Sequence, residues 1–330
     1  MESVGKIRAV RLFLRGNYNI LTGRPFVVSF EVTSSCNADC RHCDKGGIIK
    51  DEKHLSPDEI GTIYRNLKPV AVQLSGGEPL LRKDIIEIVR AIKEKGGAPY
   101  LILVSNGQLL TKEKYLALKE AGVDQISISL DYPDERHDEF RKIPGLFKRL
   151  GKIVPQLTAE GNNDIAINTA ISKENMTSLR GICDRAEEWG AQISYSAYSS
   201  LRTGDTSLSI NSEDDLRTLR SAIDELQEMK RAGRRIRNTP AILENTYGFF
   251  RDGGVPGCKA GYRFLLVTPE GYFRPCAHKR LTCGSQKELI ENFSRDNDCG
   301  GCYVAIRSYC DKSYFDLIRE QIYARLVHEQ

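Results

Sequence analysis

Three cysteines near the start of the chain have the spacing to hold an iron–sulfur cluster. Cys36, Cys40 and Cys43 follow the pattern Cys-x3-Cys-x2-Cys, directly after a short apolar segment. Cysteine thiolates ligate the irons of cubane clusters. Three thiolates would leave one of the four irons without a protein ligand, and a small chelating molecule can bind there. The alternative is a zinc site, but zinc takes four ligands, commonly as two close pairs.

Polar segments follow the next apolar segments along the chain. They are Ser75–Pro79 (Ser-Gly-Gly-Glu-Pro), Ser105–Gly107 (Ser-Asn-Gly), Ser127–Asp131 with the later Arg141, and Asn168-Thr169. Two adjacent glycines let the backbone approach a ligand closely, and Glu78 can pair with an ammonium group. The segment that alternates serine and isoleucine is, taken alone, equally typical of a half-buried strand.

Taken in order, these segments resemble the radical S-adenosylmethionine (SAM) superfamily over about residues 25–200, with His42 before the third cysteine as in the family signature. The resemblance implies a [4Fe–4S] cluster whose open iron is chelated by SAM. An electron from the cluster then cleaves SAM to methionine and a 5′-deoxyadenosyl radical, which abstracts hydrogen from the substrate. The residues expected to contact SAM are Gly76, Gly77, Glu78, Ser105, Asn106, Ser129, Asp131, Arg141 and Asn168.

A second set of cysteines lies near the end of the chain. Cys258, Cys276, Cys299 and Cys302 resemble the regions called SPASM and twitch, and this implies one auxiliary [4Fe–4S] cluster. Cys283 and Cys310 remain as substitute ligands, or as ligands of an incomplete second auxiliary cluster. A zinc site with four cysteines is the alternative. Cys183 lies on an apolar helical stripe, which predicts a buried structural thiol.

The elements that must position these residues alternate regularly. The predicted strands are Phe26–Val32, Val70–Leu74, Tyr100–Val104, Gln125–Leu130, Asp164–Ile171 and Gln192–Tyr198, with amphipathic helical segments between them. This alternation predicts an α/β fold, a partial (β/α)6 TIM-like barrel with its chemistry at the C-terminal ends of the strands. We expect an N-terminal extension over 1–24, the radical SAM core barrel over 25–235 and a cysteine-rich auxiliary-cluster domain over 236–330, ending in a helix over Tyr314–Val327.

Composition restricts the functions that need consideration. The 330 residues carry a net charge of +4 without a concentrated basic patch, and this favours no nucleic-acid partner. The sequence contains no apolar run of the length that spans a membrane. A signal peptide is not expected either, because no apolar stretch follows the charged start. We therefore expect a cytoplasmic protein with reduced thiols. The basic and apolar segment 6–22 is expected to be a helix that packs on the barrel or lies on a membrane surface.

The predicted activity is a radical SAM oxidoreductase that dehydrogenates a small molecule, such as an alcohol of a sugar or cyclitol, and that receives electrons from a flavodoxin or ferredoxin. An auxiliary cluster can accept the electron of a substrate radical, and dehydrogenation also needs a base. His278 is the base to test first; Tyr195, Tyr198, Arg202, Asp205 and Glu244 are further candidates at the barrel mouth. The alternatives are a maturase of ribosomal peptides, an enzyme acting on a lipid or isoprenoid, and a metal-binding protein without turnover. The first strand begins by residue 26, which leaves little room for a preceding peptide-recognition domain.

Overall fold

The computed structural model describes residues 5–311 except 160 and 162. The helix predicted over Tyr314–Val327 lies outside these described residues. None of the helices in the described part of the chain combines the length and the apolar character that crossing a membrane requires.

Six parallel strands form the centre of the fold, and each matches a strand predicted from the sequence to within one or two residues at each end. Their neighbours in the sheet follow chain order, as expected for consecutive right-handed βα units. They are β1 (Val27–Glu31), β2 (Ala71–Ser75), β3 (Tyr100–Ser105), β4 (Gln125–Ser129), β5 (Ile165–Ile171) and β6 (Gln192–Ala197).

Helices connect the strands, and several begin at side-chain caps. The Ser56 hydroxyl accepts a hydrogen bond from the Glu59 N–H, and the Glu59 carboxylate accepts one from the Ser56 N–H, which together form a capping box. The helices are α1 (Lys6–Thr22), α2 (Pro57–Leu67), α3 (Ile85–Ile92), α4 (Lys112–Ala121), α5 (Arg136–Arg141), α6 (Leu146–Thr158), α7 (Leu179–Glu188), α8 (Glu213–Arg231), α9 (Pro240–Arg251), α10 (Gln286–Leu289) and α11 (Ala305–Cys310).

A hairpin extends this sheet beyond β1. Strand β7 (Phe264–Val267) pairs with β8 (Phe273–Arg274) in antiparallel fashion and forms the hairpin. The sequence did not indicate that β7 also pairs in parallel with β1, with Phe30 opposite Val267. This pairing adds the hairpin to the sheet beside β1, and the antiparallel β8 then returns the chain along β7 to Cys276.

The described strands form a partial TIM-like barrel with β6 and β8 at the edges of the sheet. Helix α11 contacts both β6 and β7, and the Ala197 N–H at the end of β6 donates to the Tyr303 carbonyl, 3.2 Å away, just before α11. Cys183 is fully buried in the apolar core, as its position on an apolar stripe predicted.

Candidate active site

A cavity of about 340 Å³ lies at the C-terminal ends of the strands. Its wall includes Ser75, Ser105, Ser129 and Asn168, which stand at or near the ends of β2, β3, β4 and β5. Cys36, Cys40 and Cys43 line the same cavity, and so does Cys276 from the second set of cysteines. This volume is at the lower end of the range typical for small-molecule sites.

The loop after β1 presents the first three cysteines to the cavity. The Cys36 N–H donates to the Gly47 carbonyl at 2.9 Å, and the Cys43 N–H donates to the Cys40 carbonyl at 3.1 Å. Burial raises the pKa of the Cys36 thiol to about 11, because a thiolate is costly in a desolvated site. Three converging thiols on one short loop are the donor set that a cubane cluster with one open iron requires.

Glu52 holds the segment that leads into this loop, and sequence reasoning missed it. Its carboxylate accepts hydrogen bonds from the Thr33 hydroxyl at 2.6 Å and the Ser35 hydroxyl at 2.8 Å, and from the Ser34 N–H. These hydrogen bonds lower the pKa of Glu52, although partial burial opposes that shift. A lone glutamate twelve residues beyond Cys40 carries no sequence pattern that would have identified this role.

The two glycines after β2 lie too close to the cluster loop for any side chain. A Cβ on Gly76 would lie 2.2 Å from the Thr33 carbonyl oxygen, and a Cβ on Gly77 would lie 2.0 Å from that of Ser35. Gly76 also has a φ of +140°, which other residues rarely adopt. The glycines therefore let two backbone segments pack directly against each other beside the cavity.

Glu78 connects this motif to the turn after β3. Its buried carboxylate accepts hydrogen bonds from the Ser105 hydroxyl and the Asn106 N–H, each at 2.8 Å, and from the Leu80 N–H at 3.0 Å. The Asn106 side-chain amide in turn donates to the Asn37 side chain at 2.8 Å, next to Cys36. Burial raises the pKa of Glu78, whereas these hydrogen bonds lower it. Glu78 is thus a structural centre of the cavity wall as well as part of its lining.

Arg141 and Asp131 form a fully buried ion pair behind the cluster loop. The Arg141 guanidinium donates to one Asp131 carboxylate oxygen at 2.7 and 2.6 Å, and a further guanidinium N–H points to the Cys40 thiol at 3.8 Å. Burial opposes ionisation of Asp131, but Arg141 outweighs it and lowers the pKa of the carboxyl. Arg141 lines the cavity and Asp131 does not. Asp131, predicted to contact SAM, therefore orients the residue that does face the cavity.

Two histidines near this ion pair are held neutral by burial. His137 accepts a hydrogen bond from the Asp131 N–H at 3.1 Å, and burial lowers the pKa of His137 to about 3. His42 stacks on Phe140 with ring centroids 5.0 Å apart, and burial lowers the pKa of His42 to about 4. Their rings pack the cluster loop against α5 without adding charge.

The end of β4 and the middle of β5 present polar side chains to the cavity. Ser129 and Asn168 line it, whereas Thr169 points away and donates to the Leu130 carbonyl at 2.7 Å. The Asn168 side-chain oxygen is buried and has no hydrogen-bond partner among the described residues. A buried orphan acceptor at a cavity wall is a binding feature, because leaving it unsatisfied is costly.

The structure brings together the four C-terminal cysteines that the sequence singled out. The Cys302 thiol has Cys276 and Cys258 as electrostatic neighbours, and Cys276 has Cys299 as one. Burial raises the pKa of Cys302 to about 12, and the charge of a nearby Cys276 thiolate is the second largest cause of this shift. Asn297, missed by sequence reasoning, donates to the Cys258 carbonyl at 2.9 Å and accepts from the Cys299 N–H at 3.0 Å.

Cys283 lies apart from this group, whereas Cys310 belongs to an apolar cluster against which Cys258 and Cys276 pack. Cys283 pairs with Phe273 through two backbone hydrogen bonds of 2.8 Å beside β8. Cys310 is buried at the end of α11 against Ala260 and Phe264. Among the described residues, no other thiol contributes to the raised pKa of Cys283 or of Cys310.

The spacing of the thiols does not suit a single metal ion. In the described part of the chain, no three His, Cys, Asp or Glu side chains are close enough together to hold one. Mononuclear zinc needs its sulfur ligands at about 2.3 Å from one centre, whereas the thiolates of a cubane bind different irons and therefore stand farther apart.

His278 lies on the cavity wall, two residues beyond Cys276. Burial, and then the positive charge of Arg202, lower the pKa of His278 to about 4, and its Nδ1 atom has no hydrogen-bond partner among the described residues. Arg202 also lines the cavity and pairs with the carboxylate of Asp44, which Arg280 shares.

Two other candidate bases are excluded by their positions. Tyr195 is buried in the core, where its hydroxyl donates to the Leu179 carbonyl at 2.8 Å. Glu244 pairs with Arg220 at 2.9 Å on the outer surface of α9. Tyr198 does line the cavity, but Asp205 does not. The strand and helix ends were predicted correctly, but the direction in which these side chains point was not.

Residues 30–186 match the model of the Radical SAM superfamily. An AdoMet-dependent heme synthase of Methanosarcina barkeri is 30% identical over 293 residues, which cover 81% of each chain. The chain therefore belongs to the radical SAM superfamily, whose enzymes use a [4Fe–4S] cluster and SAM.

More particular relatives follow from the same comparisons. A second AdoMet-dependent heme synthase, from Nitratidesulfovibrio vulgaris, is 26% identical and covers 78% of this chain and 75% of its own. Among solved structures, Streptococcus suis SuiB bound to its precursor peptide SuiA has a TM-score of 0.65 at 19% identity, over 94% of this chain and 76% of the other. Native anSMEcpe with bound AdoMet has a TM-score of 0.62 at 19% identity, over 81% of each chain. These two structures establish the shared fold.

Proposed function

We propose that this radical SAM enzyme is an oxidoreductase that dehydrogenates a small molecule, such as an alcohol of a sugar or cyclitol. One observation carries the proposal: Cys276 lines the same cavity as Cys36, Cys40 and Cys43. A substrate in this cavity would be within reach of both cysteine sets. That arrangement suits an oxidation, in which a hydrogen atom and then an electron leave the substrate in different directions.

Cys36, Cys40 and Cys43 would hold the cluster that binds SAM, and Cys258, Cys276, Cys299 and Cys302 would hold an auxiliary [4Fe–4S] cluster. When bound and reduced, the first cluster with SAM supplies a 5′-deoxyadenosyl radical. Reduction needs an external donor, for which we propose a flavodoxin or ferredoxin. We propose correspondingly a core over 25–235 that carries the first cysteine set and an auxiliary-cluster region over 236–330 that carries the second. An N-terminal extension over 1–24 precedes the core.

The chain's own residues would orient SAM and the substrate. Ser129, Asn168 and Arg141 face the cavity with polar atoms that suit the carboxylate, ribose or adenine of SAM. Gly76 and Gly77 keep the wall thin at the point where the methionine group would lie. Glu78 fixes the two turns around it through three hydrogen bonds.

The proposed oxidation balances as follows for an alcohol. The substrate carbon gives up a hydrogen atom to the 5′-deoxyadenosyl radical, which becomes 5′-deoxyadenosine. The substrate then loses one electron toward the Cys258 set and the hydroxyl proton to a base, and a carbonyl remains. His278 is the proposed base, because it lies beside Cys276 on the cavity wall and its Nδ1 atom is free of protein partners among the described residues.

A second candidate function comes from the relatives named as heme synthases, one of which is 30% identical over 81% of this chain. Chemistry on a tetrapyrrole is the corresponding proposal here. The cavity volume of about 340 Å³ favours a smaller substrate, since SAM must occupy part of it. Maturation of a peptide and action on a lipid or isoprenoid stay open as alternatives, and a peptide could enter only through the cavity mouth.

The proposal is tested by iron content and SAM cleavage in anaerobically reconstituted protein. We expect about eight irons per chain in the native protein and about four in a Cys36→Ala/Cys40→Ala/Cys43→Ala variant. A Cys258→Ala/Cys276→Ala variant should also hold about four, yet still form 5′-deoxyadenosine with dithionite. Cys183→Ala is the matched control and should keep all its iron.

Two results would contradict the proposal. A native protein with only about four irons would remove the auxiliary cluster and with it the argument for an oxidation. About twelve irons would mean that Cys283 and Cys310 take part in a further cluster. Oxidation by the native protein can then be sought with a panel of polyols, with a tetrapyrrole and a peptide as the competing substrates.

A further inference from the structure

Helix α1 exposes a continuous row of large apolar side chains. Six large apolar residues are exposed along it, from 38% to 85% of their surface: Ile7, Val10, Phe13, Leu14, Tyr18 and Leu21. We call this set the apolar face of α1. At 100° per residue it covers an arc of about 140°. Its total exposed area is on the order of 700 Å², above what most soluble monomers expose in one patch.

The opposite face of α1 is fixed to the barrel by polar groups. Arg8 donates to both carboxylate oxygens of Asp124 at 2.6 and 2.5 Å. Arg15 pairs with Glu94 at 2.8 Å, and the buried Asn19 side chain donates to the Pro25 and Lys68 carbonyls at 2.8 and 3.0 Å. These contacts prevent the helix from turning its apolar face inward, because rotation would leave buried charges without partners.

The charged side chains that α1 and the segment after it contribute are all positive. Residues 5–30 contain four arginines and one lysine and no aspartate or glutamate. Arg8 and Arg15 are neutralised by the barrel, but Arg11 is exposed and Arg24 lies over the Tyr18 ring, 5.7 Å from its centroid. An apolar arc with flanking cations is the composition of a helix that lies in the plane of a membrane interface.

We propose that the apolar face of α1 binds the surface of a membrane containing anionic lipids. The helix would lie parallel to the bilayer, with its leucines and aromatic rings between the headgroups and its arginines beside the phosphates. A second copy of this chain fits less well. A contact between two α1 helices would bury less than the roughly 800 Å² per partner of a stable interface, and it would bring two basic segments together.

This binding mode sets the orientation of the enzyme. The residues that anchor α1 lie before strands: Asp124 precedes β4, and Pro99, whose carbonyl accepts from Arg8 at 3.3 Å, precedes β3. Helix α1 therefore lies at the N-terminal ends of the strands, opposite to the cavity. The cavity faces away from the membrane, and the substrate enters from the aqueous side. The inference is independent of which substrate the cavity takes.

Vesicle flotation tests the proposal with the full-length protein. We expect binding to vesicles of phosphatidylcholine mixed with phosphatidylglycerol, weaker binding to phosphatidylcholine alone, and release by salt. Leu14→Glu/Leu21→Glu should weaken binding at least ~100-fold, because each buried leucine contributes a factor of about ten or more. Leu116→Glu, at a residue 48% exposed on α4, is the matched control and should stay within about 2-fold of native binding.

The same variants separate this proposal from the catalytic one. Formation of 5′-deoxyadenosine with dithionite should be equal in all of them, since the apolar face is remote from the cavity. Absence of binding by the native protein, or equal binding by the double variant, would overturn the proposal. Light scattering that shows a native dimer and a monomeric double variant, without vesicle binding, would instead assign the face to a second copy.

Discussion

Replacing Gly76 by alanine should strongly slow SAM cleavage, although Gly76 is not a cluster ligand. The substitution would act by displacing the loop that carries Cys36, Cys40 and Cys43. The added Cβ would lie 2.2 Å from the Thr33 carbonyl oxygen, where ordinary contact begins at 3.4 Å. The backbone at Thr33 must therefore move by about 1.2 Å, and Thr33 is three residues before Cys36. A displacement near 1 Å in a catalytic arrangement costs about 100-fold in rate. We expect a loss of that size in the rate of 5′-deoxyadenosine formation.

Gly145→Ala is the control for the conformational cost of placing an alanine at a positive φ. Gly145 also has a positive φ, +77°, but a Cβ there meets nothing within 4 Å. Gly145→Ala places an alanine in the left-handed conformation at a cost of about 1–2 kcal/mol of stability. Gly76→Ala has a backbone cost at least as large, because the φ of Gly76 is +140°, and it alone adds the clash. The assay is chromatography of 5′-deoxyadenosine with dithionite, beside iron content. A Gly76→Ala rate within about 3-fold of Gly145→Ala would show that the two segments are not packed as described.

Two further predictions concern single polar side chains. Asp124→Asn should destabilise the protein by about 3 kcal/mol, because it leaves Arg8 and Lys93 without their shared partner. Although burial opposes it, the hydrogen bonds from Arg8 and Lys93 lower the pKa of Asp124 below its usual value of 3.8. The native protein should therefore lose this stabilisation as pH falls below about 4, whereas the variant's unfolding by denaturant should lack that component. Asn297→Ala should cost part of the auxiliary iron and leave the SAM-cluster iron intact, since Asn297 fixes the backbone of Cys258 and Cys299; unchanged iron content would show that the loop holds its shape without it.

The sequence was sufficient for the parts of this protein that depend on local pattern. The six parallel strands and the caps at Ser56, Thr111 and Ser212 follow from periodicity and from side chains that satisfy nearby N–H groups. The strand-end motifs were located correctly because a parallel sheet brings strand ends to one edge.

Local sequence patterns could not predict the direction in which side chains point or the pairing of segments that are distant in sequence. Tyr195 and Glu244 were placed at the cavity mouth, but one is buried in the core and the other lies on the outer surface. Glu52 and Asn297 act through backbone groups close to the cysteines, and a single carboxylate or amide in a loop has no periodicity to reveal it. Helix α1 was predicted, and packing on the barrel and lying on a membrane surface were both left open. The choice between an inward and an outward apolar face depends on the ion pairs with Asp124 and Glu94, which are distant in sequence.

The pairing of β7 with β1 explains why the two cysteine sets face one cavity. In register, Phe30 lies opposite Val267, so both strands end at the same height of the sheet. Cys36 follows β1 by five residues, whereas the antiparallel β8 carries the chain back along β7 before it reaches Cys276, two residues after β8. If the hairpin instead formed a separate unit, no constraint would bring Cys276 to the SAM-cluster loop. An insertion of one residue within β7 would shift this register and reverse the faces of its side chains. The arrangement that supports an oxidation therefore depends on a strand pairing more than 230 residues apart in the chain, and not on the cysteine motifs alone.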